Sequence, residues 1–210
     1  MPIPVGPESK LLSFGAERQS SFGYLRLQKW TNPIVSDDNL ILNDQASSAS
    51  LVTTVSAFLA QPDFARNIII TPAGTTASVK AANIVITGTN IRGEVITESI
   101  LMTENGTSPV AGVKAFKTVT GISIPAQDGS GATFDFGVGD VLGLDRCMAG
   151  DEVLALTADG VYEATRPTVV YDADEVEKNT INPNASLNGA VDFVVTFVSV
   201  EKTYKHGSSA

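Results

Sequence analysis

The stretch VLALTADGVYEA, residues 153–164, decides how the chain is read. Two short runs of strand-forming residues flank Asp159-Gly160, a pair that tolerates the positive φ angles of a tight two-residue hairpin. An antiparallel hairpin is therefore expected here, and the same grammar recurs on both sides of it. Toward the C-terminus, Val191 to Glu201 alternates Phe193, Val195 and Phe197 with Val194, Thr196, Val198 and Val200. A run that is apolar on both faces belongs in the middle of a packed sheet.

Toward the N-terminus, short β-branched runs alternate with turn residues. Ile68-Ile69-Ile70-Thr71 precedes Pro72-Ala73-Gly74, and Asn83 to Thr87 precedes Gly88-Thr89-Asn90, with Gly93 closing the loop. Glu94, Ile96, Glu98 and Ile100 share one side of the next extended segment, and Val95, Thr97, Ser99 and Leu101 share the other. Mixed polarity on both faces places that strand near a sheet edge. Asn105-Gly106, then Ala115 to Val119, Gly121 to Pro125, the loop Asp128 to Gly131, and Thr133 to Phe136 continue the series. Punctuation at this interval is that of a sandwich or barrel. The predicted fold class is mainly β, an antiparallel β-sandwich or barrel-like body with an extended N-terminal arm. Ser47 to Gln61 stays open: Leu51, Val55, Phe58 and Leu59 fit helical spacing, whereas Val52 to Val55 are β-branched and favour a strand.

The expected divisions are an arm over 1–45, a β-rich body over 46–205 and a polar tail over 206–210. The arm contains Pro2, Pro4, Pro7 and Pro33, shows no sustained apolar period, and spaces Phe14, Phe22, Tyr24 and Trp30 among polar residues. From Met1 to Trp30, four bases (Lys10, Arg18, Arg26, Lys29) stand against Glu8 and Glu17, a net charge of +2 that leaves −11 for the remainder of a chain whose total is −9. A basic, aromatic-bearing segment on an acidic body suits docking on another surface, because aromatics gain most when a partner buries them. The other reading is a loose terminus or a strand folded back on its own body. Phe22, Tyr24, Arg26, Lys29 and Trp30 are the candidate partner-interface residues, since aromatic and arginine side chains dominate binding hot spots.

The composition removes most chemistry. Hydrophobic residues make up 43% of the chain and charged residues 18%, a balance that fits a folded protein and not a disordered one. The negative charge repels phosphate backbones, so no nucleic acid is expected as a partner. Cys147 is the only cysteine and His206 the only histidine, so neither a disulfide framework nor a multi-cysteine metal site can be built. No signal-like segment opens the sequence and no apolar run approaches the ~20 residues of a membrane helix, so no membrane partner is expected. Gly137-Val138-Gly139 to Gly143 lacks dinucleotide-loop spacing and fits glycines at a strand end. Asp172 to Glu177 gathers four carboxylates, the ligands calcium prefers, yet Glu177 stands where an EF-hand loop needs glycine; a solvated acidic loop is the plainer reading. No catalytic, cofactor-binding or metal-ligating residue is assigned, no cofactor is expected, and no enzyme activity is predicted.

Several phrases together resemble virion proteins of tailed bacteriophages, of the type that decorates or cements capsids. They are Gln61 to Ile68, Val85 to Asn90 leading into Gly93 to Glu98, Lys114 to Val119, Gly139 to Leu144, and Asn179 to Asn184 with Asn188-Gly189. The likeness is one of texture and order over residues 60–200, and it carries no catalytic residue. It implies a non-enzymatic structural protein located on the virion, at the capsid surface, made in the host cytoplasm. The implied partners are the major capsid protein or other virion proteins, with a homotrimer as the implied oligomer. A tail or neck component, and an extracellular carbohydrate-binding or adhesive β domain, are the alternatives.

Overall fold

The computed structural model describes residues 23–200. Fourteen strands are arranged in three antiparallel sheets within these residues. The first sheet is ordered β1-β14-β10-β11, with β1 Gly23–Trp30, β14 Phe193–Val200, β10 Val153–Ala158 and β11 Val161–Tyr162. The second is ordered β12-β13-β9-β4-β7, from β12 Thr168–Val170, β13 Thr180–Asn182, β9 Ala132–Gly143, β4 Arg66–Gly74 and β7 Val110–Phe116. In it, β2 Asp37–Ala46 also pairs with β9. The third is ordered β3-β8-β5-β6, from β3 Thr53–Val55, β8 Thr118–Ile124, β5 Asn83–Thr89 and β6 Val95–Leu101. The mainly β, antiparallel expectation holds, and the sheets curl into a half-barrel.

Two apolar cores hold the sheets together. Ile68 and Ile70 of β4 and Phe134, Phe136 and Val138 of β9 pack against Ile84 and Ile86 of β5 and Ile122 and Ile124 of β8, which joins the second sheet to the third. Leu142 and Leu144 meet Trp30, Leu156, Phe193, Val195 and Phe197, which joins the first sheet to the far end of the second. The twelve-residue strand β9 feeds both cores and is the spine of the molecule.

Local chemistry explains the elements that were expected. Asp159 and Gly160 take φ of 49° and 78°, and their hairpin pairs Ala158 with Val161. β14 lies between β1 and β10 as an interior strand. β6 is an edge strand whose exposure alternates residue by residue, with Ile96, Glu98 and Ile100 turned inward. In Ser47 to Gln61 only Thr53–Val55 is regular, and it is extended; Leu51 and Leu59 are exposed, so no apolar helix face is formed.

Two expectations need correction. The division after residue 45 does not match the sheets, because Gly23–Trp30 and Asp37–Ala46 are paired strands of the folded body. Residues 1–22 of the expected arm, and the 206–210 tail, lie outside the described residues. The glycines at 137 and 139 are not at a strand end but inside β9. Their reason is close approach: a Cβ on Gly137 would stand 1.8 Å from the Asp37 carbonyl oxygen, where β2 crosses β9.

Candidate functional site

In an antiparallel pair, directly opposed residues project on the same side of the sheet. In the first sheet, Trp30, Gln28 and Arg26 oppose Phe193, Val195 and Phe197, and Leu156 opposes Val195 from the other side. This is the core side. Leu25 and Leu27 oppose Val198 and Thr196, Ala155 opposes Thr196, and Thr157 opposes both Val194 and Tyr162. This second side faces out except at Val198, which is buried. Leu25 is 67% exposed, Leu27 70% and Tyr162 72%, and Leu154, at the irregularity where β10 meets β14, is 62% exposed. The outer side is therefore an apolar face on a four-stranded sheet, bounded by the edge strands β1 and β11.

The structure separates the five residues singled out in the sequence. Phe22 lies outside the described residues. Trp30 is 1% exposed and forms part of the second core, so its indole stabilises the fold and is not available to a partner. Arg26 is half-buried on the core side. Tyr24 is half-exposed on that same side, and its carbonyl accepts the Ser199 hydroxyl. Lys29 is exposed and pairs with Asp192, holding that carboxyl below its ordinary range. The residues that the reading missed are Leu25 and Leu27. Their signal was present in the alternation YLRLQKW, residues 24–30, whose two leucines face outward while Arg26 and Gln28 lie on the core side, the reverse of an ordinary half-buried strand.

The acidic segment turns most of its charge onto lysines. Asp172 Oδ1 accepts the N–H groups of Asp174 and Glu175, Lys178 contacts Asp172 and Glu175, and Lys114 contacts Glu175 at 3.8 Å and Glu177 at 3.2 Å. Among the described residues, no group of three or more His, Cys, Asp or Glu side chains is placed to hold a metal ion. Cys147 is buried. An open depression of about 420 Å³ is lined by Val35, Ser36, Asp37, Asp38, Ile69 and Pro109, and the Asp37 carboxylate there is taken up by the Asn39 N–H.

The chain matches no protein-family model, no curated protein and no solved structure.

Proposed function

We propose that this chain is a structural, non-enzymatic protein of a tailed-phage virion that binds the outside of the capsid and stabilises it. The observation that carries the reading is the outward side of the β1-β14-β10-β11 sheet, where Leu25, Leu27, Leu154 and Tyr162 stand exposed. Large apolar side chains gathered on one exposed face mark a protein interaction site. The occupant we propose, the major capsid protein of the shell, rests on the phrases that resemble those of decoration proteins. Burying this face contributes roughly 25 cal/mol per Å² before the cost of association is deducted. Repetition over a shell, or within a trimer, adds avidity without new contacts.

Leu25 and Leu27 lie on an edge strand and point away from both cores, so Leu25→Asp with Leu27→Asp is expected to leave the fold intact, which circular dichroism checks. Co-sedimentation with phage heads is expected to show binding weakened by about tenfold or more in the double variant, the loss of two large apolar contacts. Unchanged saturation of the heads overturns the assignment of this face. Ring-shaped oligomers that ignore heads and join tails would move the role to the neck or tail.

A further inference from the structure

Just beyond the end of β5, the side chain of Asn90 is 1% exposed and held on both ends. Its Oδ1 accepts the backbone N–H groups of Arg92 at 2.9 Å and Glu94 at 3.1 Å. Its Nδ2 donates to Glu94 Oε2 at 2.8 Å and to Glu177 Oε2 at 3.3 Å. The other oxygen of Glu177 accepts from Lys114 Nζ at 3.2 Å. One carboxylate, belonging to a residue only 7% exposed, thus bridges a carboxamide and a primary amine that come from different sheets.

Each group suits one role in acyl transfer. A carbonyl oxygen that faces two N–H donors is prepared to carry negative charge. A lysine amine becomes a nucleophile when it gives up its proton. A carboxylate touching both nitrogens is placed to take a proton from one and deliver it to the other. Burial raises the Glu177 carboxyl, but hydrogen bonds from its own N–H, from Asn90 and from Lys114 outweigh that and leave it below its ordinary 4.5, and therefore ionised.

We propose that Lys114 and Asn90 form an intramolecular isopeptide bond, with Glu177 as the proton carrier. The lysine swings its amine from the carboxylate to the amide carbon, to a near-attack separation of about 3–3.5 Å. Lys114, whose side chain is 18% exposed, first gives one proton to water; the neutral Nζ then adds to Cγ of Asn90, and the carbonyl electron pair moves to Oδ1, where the Arg92 and Glu94 N–H groups hold it. Glu177 takes a proton from Nζ and passes it to Nδ2. The Cγ–Nδ2 bond breaks, the carbonyl re-forms, and ammonia leaves, carrying off as ammonium the proton that the lysine first shed. The product is a secondary amide between Lys114 and Asn90, formed with no change of oxidation state. It ties β7 of the second sheet to the end of β5 in the third, where the Lys117 N–H already donates to the Thr89 carbonyl at 2.7 Å. The loop it closes contains the edge strand β6.

Intact-mass spectrometry of the purified, denatured full chain reads the bond directly. The expected mass is lower than that of the sequence by about 17 Da, one ammonia. Digestion is expected to yield one branched peptide joining residues 90 and 114. Lys114→Arg and Glu177→Gln are each expected to restore the sequence mass. If either variant fails to fold, the mass and the branched peptide of the unaltered protein still decide. An unaltered protein at its full sequence mass overturns the proposal. So does a loss of the same size that maps to a linear peptide, such as a succinimide at Asn105-Gly106, or one that persists in folded Glu177→Gln.

Discussion

Arg66 is fully buried and ties the connection between β1 and β2 to the body. Its Nε donates to the Gly139 carbonyl at 2.8 Å, and its Nη1 to the Ile34 carbonyl at 2.9 Å and to Asp63. Asp63 in turn accepts the Ile34 N–H. Arg66→Met removes the charge but keeps much of the volume. It strands two carbonyls and a carboxylate, so a loss of about 3 kcal/mol or more is expected in urea unfolding. Asn67 beside it fills two irregularities at once, accepting the Val141 N–H of β9 and donating to the Gly112 carbonyl of β7. Glu98 joins the edge strands of two sheets by accepting the N–H groups of Val113 and Lys114. Burial pushes its carboxyl above the ordinary 4.5, and those hydrogen bonds and the Lys114 charge only partly offset the push. A carboxyl raised in the folded state binds its proton more tightly there than when unfolded. The stability it contributes is thus fully present below the unfolded value and is lost as pH rises through the folded one. In thermal melts from about pH 4.5 upward, Glu98→Gln is expected to flatten that decline; an unaltered pH profile contradicts the assignment.

At the scale of elements, β1 decides how much of the chain the fold needs. Its register with β14 runs unbroken from Gly23 opposite Val200 to Trp30 opposite Phe193. Removing residues 1–22 leaves every described strand in place, and a cooperative thermal transition is expected to survive. Removing residues 1–30 strips the cover from Phe193, Val195 and Phe197 and deletes Trp30; loss of the transition is expected in circular dichroism. Equal melting of the two truncations contradicts the placement of β1. This strand was illegible in the sequence for a physical reason. Its core side carries Arg26, Gln28 and Trp30, and Gln28 spends its amide on the Gly143 carbonyl and the Asp145 N–H, so polar residues face inward and leucines outward. β2 was hidden differently. Its register with β9 shifts twice, and Ile41 and Leu42 are buried as neighbours, which erases the period of two. By contrast, the Asp159-Gly160 hairpin, the interior strand β14 and the edge strand β6 were legible, because each rests on turn chemistry or alternation contained within a dozen residues.

At the scale of the molecule, two cores sharing β9 leave one sheet with an apolar side turned to solvent. The sequence showed that the chain builds a β body but not which side of it is left uncovered, since exposure follows from the pairing of β1, β14, β10 and β11 across most of the chain's length. The Asn90, Lys114 and Glu177 cluster was hidden for the same reason: its members are brought together only by the packing of the second sheet on the third. The uncovered side is where a partner gains most, and capsid decoration is the role proposed for it. Immunogold electron microscopy, with antibody against this chain applied to phage particles and host cells from the source culture, tests that role most directly. Label spread over the heads is predicted. Label confined to the neck or tail, or found only on cell surfaces, contradicts it.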